Sequence, residues 1–152
     1  MKILLDAQKL PALFVFHGPI QQDELQRIIG SLPSPIPKDL VDFWCATGGG
    51  DVFETETLLG PCADPSLGDN LVVVNRALWA QGKPRHLLLF HRGYCHSYVD
   101  ISSQHYIVLD KAYEAVATYK TFDDWYVHVL RNEFGARYGL QFAGMDLDRI
   151  QQ

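Results

Sequence analysis

The sequence predicts a single α+β domain: a mainly antiparallel or mixed sheet of about five or six strands packed by about four helices. Three observations indicate this class. The chain has 152 residues, the usual length of one domain. Apolar residues recur at helical spacing in its first half, and short β-rich segments with very short links fill residues 86–120. Such links favour antiparallel neighbours.

The stretch Leu32–Gly50 carries the clearest helix pattern. Its apolar face is formed by residues three and four apart: Ile36, Leu40, Phe43, Trp44 and Thr47. Pro35 and Pro37 fit a first helical turn, and either Ser34 or Ile36 would precede it, with Ser34 the better capping residue chemically. Gly48 to Gly50 are expected to end the helix, because glycine adopts the left-handed backbone conformation without steric cost.

Three other segments are predicted to be helical. The first is Gln22–Ile29, which Gly30 ends. The second follows a cap at Asp69, ends near Gly82 and Pro84, and has the apolar stripe Leu71, Val74, Leu78 and Trp79. The third begins with a capping box between Thr121 and Asp124 and runs to about Arg137. Lys2–Lys9 fits either a strand or a frayed helix.

Strands are predicted wherever β-branched and aromatic residues cluster or alternate with polar ones. Leu13–Phe16 fits a short strand or a packed arm, and Val52–Leu59 fits one strand with one buried face. The remaining strands are His86–Phe90, Tyr94–Ile101, His105–Leu109 and Ala115–Lys120. The resulting domain has an N-terminal arm (1–20), a core (21–137) and a C-terminal tail (138–152), with no linker inside it.

The bulk charge restricts the class of partner. A net charge of −5 argues against general nucleic-acid binding, which needs a basic surface, and favours basic protein partners. Cys45, Cys62 and Cys95 form no CxxC pair, so reduced thiols and the cytoplasm are expected. No signal peptide and no membrane-spanning run of about 18 apolar residues is apparent, and membrane binding is not expected.

No pattern indicates an enzyme, a metal site or a cofactor. His86, His91 and His96 recur every five residues, but this step places His91 on the opposite strand face from the other two. The glycines at 48–50 follow a helix and precede a strand, the reverse of a phosphate-binding loop. The large aromatics lie on predicted apolar stripes and are expected in the core: Phe43, Trp44, Trp79, Phe122 and Trp125.

Acidic side chains form the predicted partner-binding surface. Glu54 and Glu56 lie two residues apart, so on a single strand both project from the same face, which is expected to meet solvent. Asp51, Asp64 and Asp69 are close to them in sequence and complete the set. The alternative binding surface is formed by the loops around Tyr94 and Tyr113.

Four segments, taken in order, resemble the SUKH superfamily, which includes a fungal glucan-synthesis regulator and many bacterial immunity proteins. These are LPSPIPKDLVDFW, TGGGDVFETE, HYIVLD and TFDDWYVHVL, and the resemblance covers roughly residues 22–134. It implies a non-enzymatic protein-binding domain, most simply an immunity protein that neutralises a bacterial toxin such as a nuclease. A stand-alone regulatory or scaffold module is the alternative that it implies. It transfers no catalytic residue, and an enzyme with an unrecognised site is the third interpretation of the sequence.

Overall fold

Residues 1–140 are described by a computed structural model and form one antiparallel sheet whose seven strands lie in chain order. The strands are Phe14–Phe16 (β1), Gly50–Val52 (β2), Glu56–Leu58 (β3), Leu87–Arg92 (β4), His96–Asp100 (β5), His105–Leu109 (β6) and Ala115–Tyr119 (β7). The α+β class is confirmed. The sheet exceeds the predicted five or six strands because the segment expected to be one strand, 52–59, turns back on itself at residues 53–55.

Five helices accompany the sheet within these residues. They are Lys2–Lys9 (α1), Gln22–Ile29 (α2), Lys38–Thr47 (α3), Leu71–Ala80 (α4) and a continuous helix over residues 122–138 (α5). The middle of α5, Tyr126–Arg131, is π-helical. The count exceeds the predicted four because Lys2–Lys9 is helical rather than extended. The predicted tail from residue 141 onward lies outside the described residues.

The start of α3 differs from the prediction. The helix begins at Lys38 with Pro37 as its N-cap, so Pro35 and Pro37 precede the first turn, and Ser34 does not cap it. The cause is that a residue before proline is disfavoured in the helical conformation, which keeps Ile36 out of the helix. The end is as predicted: Gly48 has φ 72° and its N–H donates to the Trp44 carbonyl at 2.8 Å.

The caps of the two later helices are formed by side chains. Thr121 Oγ1 accepts from the Asp124 N–H at 3.0 Å, as predicted for the start of α5. The cap of α4 is Asn70 and not Asp69: its Oδ1 accepts from the N–H groups of Val72 and Val73, both at 3.0 Å. Asp69 points instead toward β4.

One apolar core lies between the sheet and α3 and α5. Phe43 of α3 stacks on Phe122 of α5 at 4.8 Å between ring centroids, and Trp125 packs against Phe90 of β4 at 4.7 Å. Four of the five predicted core aromatics are buried here; Trp79 of α4 is only half-buried. Of the described polar side-chain atoms, only Trp125 Nε1 is buried without a hydrogen-bond partner.

The first 20 residues are part of this core. Ile3 and Phe14 are buried in it, and β1 pairs with β2. The carboxylate of Asp6 is buried and accepts from Tyr126 Oη at 2.6 Å and from Arg131 Nε at 2.9 Å. This charged contact fastens α1 to the π-helical segment of α5.

The helix α4 takes the place of a strand along β4. Since β3 pairs with β4 only at His91 and Arg92, the rest of that edge of β4 needs other partners. Buried Asn75 donates to the Leu89 carbonyl at 2.9 Å and accepts from the Leu89 N–H at 2.8 Å. Trp79 Nε1 donates to the Leu87 carbonyl at 3.3 Å. No helix among the described residues is long and apolar enough to cross a membrane.

Candidate functional site

The sheet has one face packed against α3 and α5, called here the inner face, and an opposite outer face. The strand registers show which residues share the outer face. One row across it contains Asp51, Thr57, Arg92, His96 and Leu109. A second outer row contains Leu89, Tyr98 and Ile107. Within residues 1–140, α4 at one side and the turn 110–114 at the other partly cover these rows, and an open groove lies between them.

The groove has a volume of about 690 Å³ and an apolar floor. Its floor is formed by Leu89, Tyr98 and Leu109, and α4 supplies one wall through Val74 and Leu78. The floor residues are well buried, so the groove is a depression in the packed domain and not a loose edge. Its shape and lining suit an apolar side chain or ring of a partner.

The opposite wall is a flap formed by Tyr113 in the β6–β7 turn. Its hydroxyl lies 3.3 Å from that of Tyr98, and Lys83 Nζ lies 4.5 Å from the centre of its ring. Tyr113 has φ 61°, a left-handed backbone state unusual for a residue with a side chain. The flap is therefore held over the groove by one contact at the Tyr113 hydroxyl and one at the face of its ring.

Polar groups at the groove lie mainly at its rim. Arg92 Nη2 donates to the Gly68 carbonyl and, at 3.2 Å, to Asp69 Oδ1. Burial and the charge of Arg92 lower the pKa of His96, which is therefore neutral at pH 7. Burial raises the pKa of the Cys95 thiol and of the Tyr98 hydroxyl, so both stay protonated. The rim can donate hydrogen bonds, but it offers no activated nucleophile.

The turn 93–95 closes one end of the groove and is fixed from inside the domain by Glu56. The Tyr94 N–H donates to both carboxylate oxygens of Glu56, at 3.2 and 3.3 Å. A Cβ on Gly93 would collide with the same carboxylate. Tyr94 Oη donates to the Val129 carbonyl of the π-helical segment at 2.6 Å, while half of the Tyr94 residue stays exposed.

Glu56 also belongs to a buried set with His91 and Ser97. His91 Nε2 lies 2.9 Å from Glu56 Oε1, and His91 Nδ1 lies 2.9 Å from Ser97 Oγ. These residue types resemble a hydrolase triad, but the ring is reversed, because a triad joins Nε2 to the serine and Nδ1 to the carboxylate. All three side chains are buried, which keeps substrate from the serine. We interpret the set as a structural network that positions the turn.

The protonation of this network follows from burial and hydrogen bonding. Burial lowers the pKa of His91 and outweighs the opposing effect of Glu56, so His91 is neutral. Burial alone would raise the pKa of Glu56, but the hydrogen bonds from His91 and Thr55 lower it below its usual value. Neutral His91 therefore donates through Nε2 to an ionised Glu56, and Ser97 donates to Nδ1.

The structure separates the two glutamates of the predicted binding surface. Glu54 is exposed, but it lies in the 53–55 turn with φ 69°, not on a strand. Glu56 is 1% exposed and faces inward, so the expectation that both project into solvent from one strand face is wrong. Two residues of spacing predict a shared face only on an unbroken strand, and the chain turns between them.

Asp51 and Asp69 of that surface lie on or beside the outer face, and Asp64 lies in the loop before Asp69. Asp51 is exposed in the outer row and accepts from Thr57 Oγ1 at 3.1 Å. Asp69 is half-buried in its ion pair with Arg92. Asp64 is exposed in the loop before it, where hydrogen bonds from Ser66 lower its pKa. Two of the five predicted residues, Asp51 and Asp69, thus lie on or beside the surface that contains the groove.

The groove itself is absent from the main sequence prediction. Its floor combines Leu89, Tyr98 and Leu109 from three strands, and their shared outward orientation depends on registers that the sequence does not display. The turn tyrosines Tyr94 and Tyr113 were the available signal, and both loops named as the alternative surface do border the groove.

Among the described residues no group of three or more His, Cys, Asp or Glu side chains could hold a metal ion. No protein-family model matches the chain, and no curated protein is significantly similar to it.

Proposed function

We propose that this chain is a non-enzymatic protein-binding domain that docks its partner on the outer face of the sheet. One observation carries the proposal: an apolar groove of about 690 Å³ opens on that face, where Asp69 pairs with the groove residue Arg92 and Asp51 lies in the same outer row as Arg92. Interfaces typically place such an apolar depression at their centre and charged side chains at their rim. The groove accommodates an apolar anchor, and the acids attract a basic surrounding surface.

The resemblance to SUKH proteins favours a specific role within this proposal: an immunity protein that acts in the cytoplasm and neutralises a bacterial toxin. Toxins that cleave nucleic acid present basic surfaces, and a net charge of −5 favours association with them. Three free cysteines suit a reducing compartment. A regulatory module would use the same groove for a non-toxic partner.

The proposal is tested on a partner recovered by affinity purification of the full chain from its native cell. Tyr113→Ala removes the flap and should speed dissociation about tenfold or more, because buried aromatic anchors dominate binding energy. Asp51→Lys should mainly slow association, and more so at low salt, because exposed charges act on encounter. Glu24→Lys, an exposed charge reversal on α2, is the control and should alter neither rate.

Binding rates that Tyr113→Ala and Asp51→Lys both leave unchanged would refute the outer face as the docking surface. If the partner is toxic, expression of the parent chain should restore the growth of cells that produce the toxin. Expression of Tyr113→Ala should restore their growth poorly. A non-toxic partner bound through the groove would assign the regulatory role instead.

A further inference from the structure

The edge of β7 that points away from β6 has no strand partner among residues 1–140, so its backbone can pair with another strand. β7 is the last strand of the sheet, and within residues 1–140 it pairs with β6 alone. Its sequence, AVATY, contains no charge and no proline, and Val116 is 62% exposed. Natural sheets usually protect such an edge with charged residues, proline or shortness. The strand at the opposite edge, β1, is protected by its shortness, since it is only three residues long.

The charges that flank β7 are opposite in sign and equally distant from its centre. Glu114 precedes the strand and Lys120 follows it, each three residues from Ala117. Both residues are exposed, and neither forms an ion pair with another described residue. An antiparallel pairing of two β7 strands centred on Ala117 sets Glu114 of each copy opposite Lys120 of the other.

We propose that this edge is a homodimer interface, in which β7 of two copies pair antiparallel about a two-fold axis at Ala117. This register places Val116 opposite Thr118 and gives two identical Glu114–Lys120 pairs, one at each end. A parallel, in-register pairing would oppose Glu114 to Glu114, which is unfavourable. A shift of the antiparallel register separates both charge pairs. The charge pattern and the unpaired backbone of β7 therefore both favour a second copy of this chain as the partner.

The dimer should be weak. Five residues per strand form a small interface, and the Val116 bulge against β6 makes part of the strand irregular. A dissociation constant of about 10–100 µM is expected for an interface of this size. Each chain carries a net charge of −5, so self-association should be measured near physiological salt, where the general repulsion is screened.

Sedimentation velocity on the full chain over a concentration series tests the proposal. The parent should show a reversible monomer–dimer equilibrium. Glu114→Lys and Lys120→Glu should each weaken the dimer about tenfold, because each turns two attractive cross-strand pairs into repulsive ones. Glu24→Lys changes net charge by the same amount as Glu114→Lys on an exposed face of α2 and should leave the equilibrium unchanged.

The decisive measurement is an equimolar mixture of the two single variants. In the mixed dimer both cross-strand pairs join a lysine to a glutamate, so dimerisation should return to about the parent strength, which a folding defect could not produce. A parent chain that stays monomeric to about 1 mM, well above any specific affinity expected here, overturns the proposal. The proposal is also overturned if the two variants dimerise as strongly as the parent, or if their equimolar mixture dimerises no more strongly than each variant alone. Asp51→Lys should leave the dimer intact, which keeps this test separate from that of the groove.

Discussion

The buried position of Glu56 makes a quantitative prediction about stability. Glu56→Ala removes the acceptor of a buried donor, His91 Nε2–H, and of a partly buried one, the Tyr94 N–H. An unpaired buried donor costs about 1–3 kcal/mol, so the two together with a small cavity should lower the free energy of unfolding by about 3–5 kcal/mol. The Thr55 hydroxyl, which also donates to Glu56, is at the surface and can bond water instead.

Urea unfolding measures this loss, with fluorescence of the buried Trp44 and Trp125 as the signal. Glu54→Ala is the matched control: this side chain is exposed in the adjacent turn, and its loss should change stability by less than about 0.5 kcal/mol. Glu56→Gln keeps the shape and an acceptor, so it should lose less than Glu56→Ala. If Glu54→Ala and Glu56→Ala have equal and small effects, the inward orientation of Glu56 and its role in fixing the turn are refuted.

Two further predictions concern the backbone and pH. Gly48→Ala should destabilise the chain by more than Gly68→Ala, because both glycines have positive φ but only at Gly48 would a Cβ strike a backbone atom, the Gly18 carbonyl oxygen. Gly68→Ala should cost about 1 kcal/mol, and equal melting temperatures for the two variants would contradict the close approach. Stability should fall as pH drops below about 7, because the unfolded chain takes up a proton on His91 near its usual pKa of 6.5 while the folded chain does not. Glu56 adds a second loss of stability below its usual pKa of 4.5, since its pKa in the folded chain is lower still. Denaturant titrations at several pH values should show that the free energy of unfolding changes less steeply between pH 7 and 5 in His91→Gln than in the parent.

Local patterns predicted the helices and later strands well. Gln22–Ile29 and His105–Leu109 have the expected bounds, and Gly48 and Thr121 have the expected capping roles. Each of these features is set by residues a few positions apart, through side-chain period, backbone preference or a capping hydrogen bond. Such interactions are visible in the sequence itself.

The errors arose where a distant partner decides the outcome. Glu56 has the spacing of a surface acid, and the positions of His91 and Tyr94, 35 and 38 residues later, make its burial favourable. No sequence pattern singles out Asn75; it lies four residues after Leu71 on the buried face of α4 and bonds the backbone of Leu89 on an unpaired strand edge. A buried polar residue needs a named partner, and the sequence does not give that partner's position.

The contact between α1 and α5 has a consequence for folding during synthesis. Every strand pairs with its neighbour in sequence, so each strand can join the sheet as it emerges, although α2 and α3 separate β1 from β2 and α4 separates β3 from β4. Asp6, by contrast, bonds Tyr126 and Arg131, which lie 120 and 125 residues later. At the usual rate of elongation, roughly 6–24 s separate their synthesis. Helix α1 is therefore among the last elements of the domain to dock, and the Asp6 carboxylate stays hydrated until Arg131 has left the ribosome.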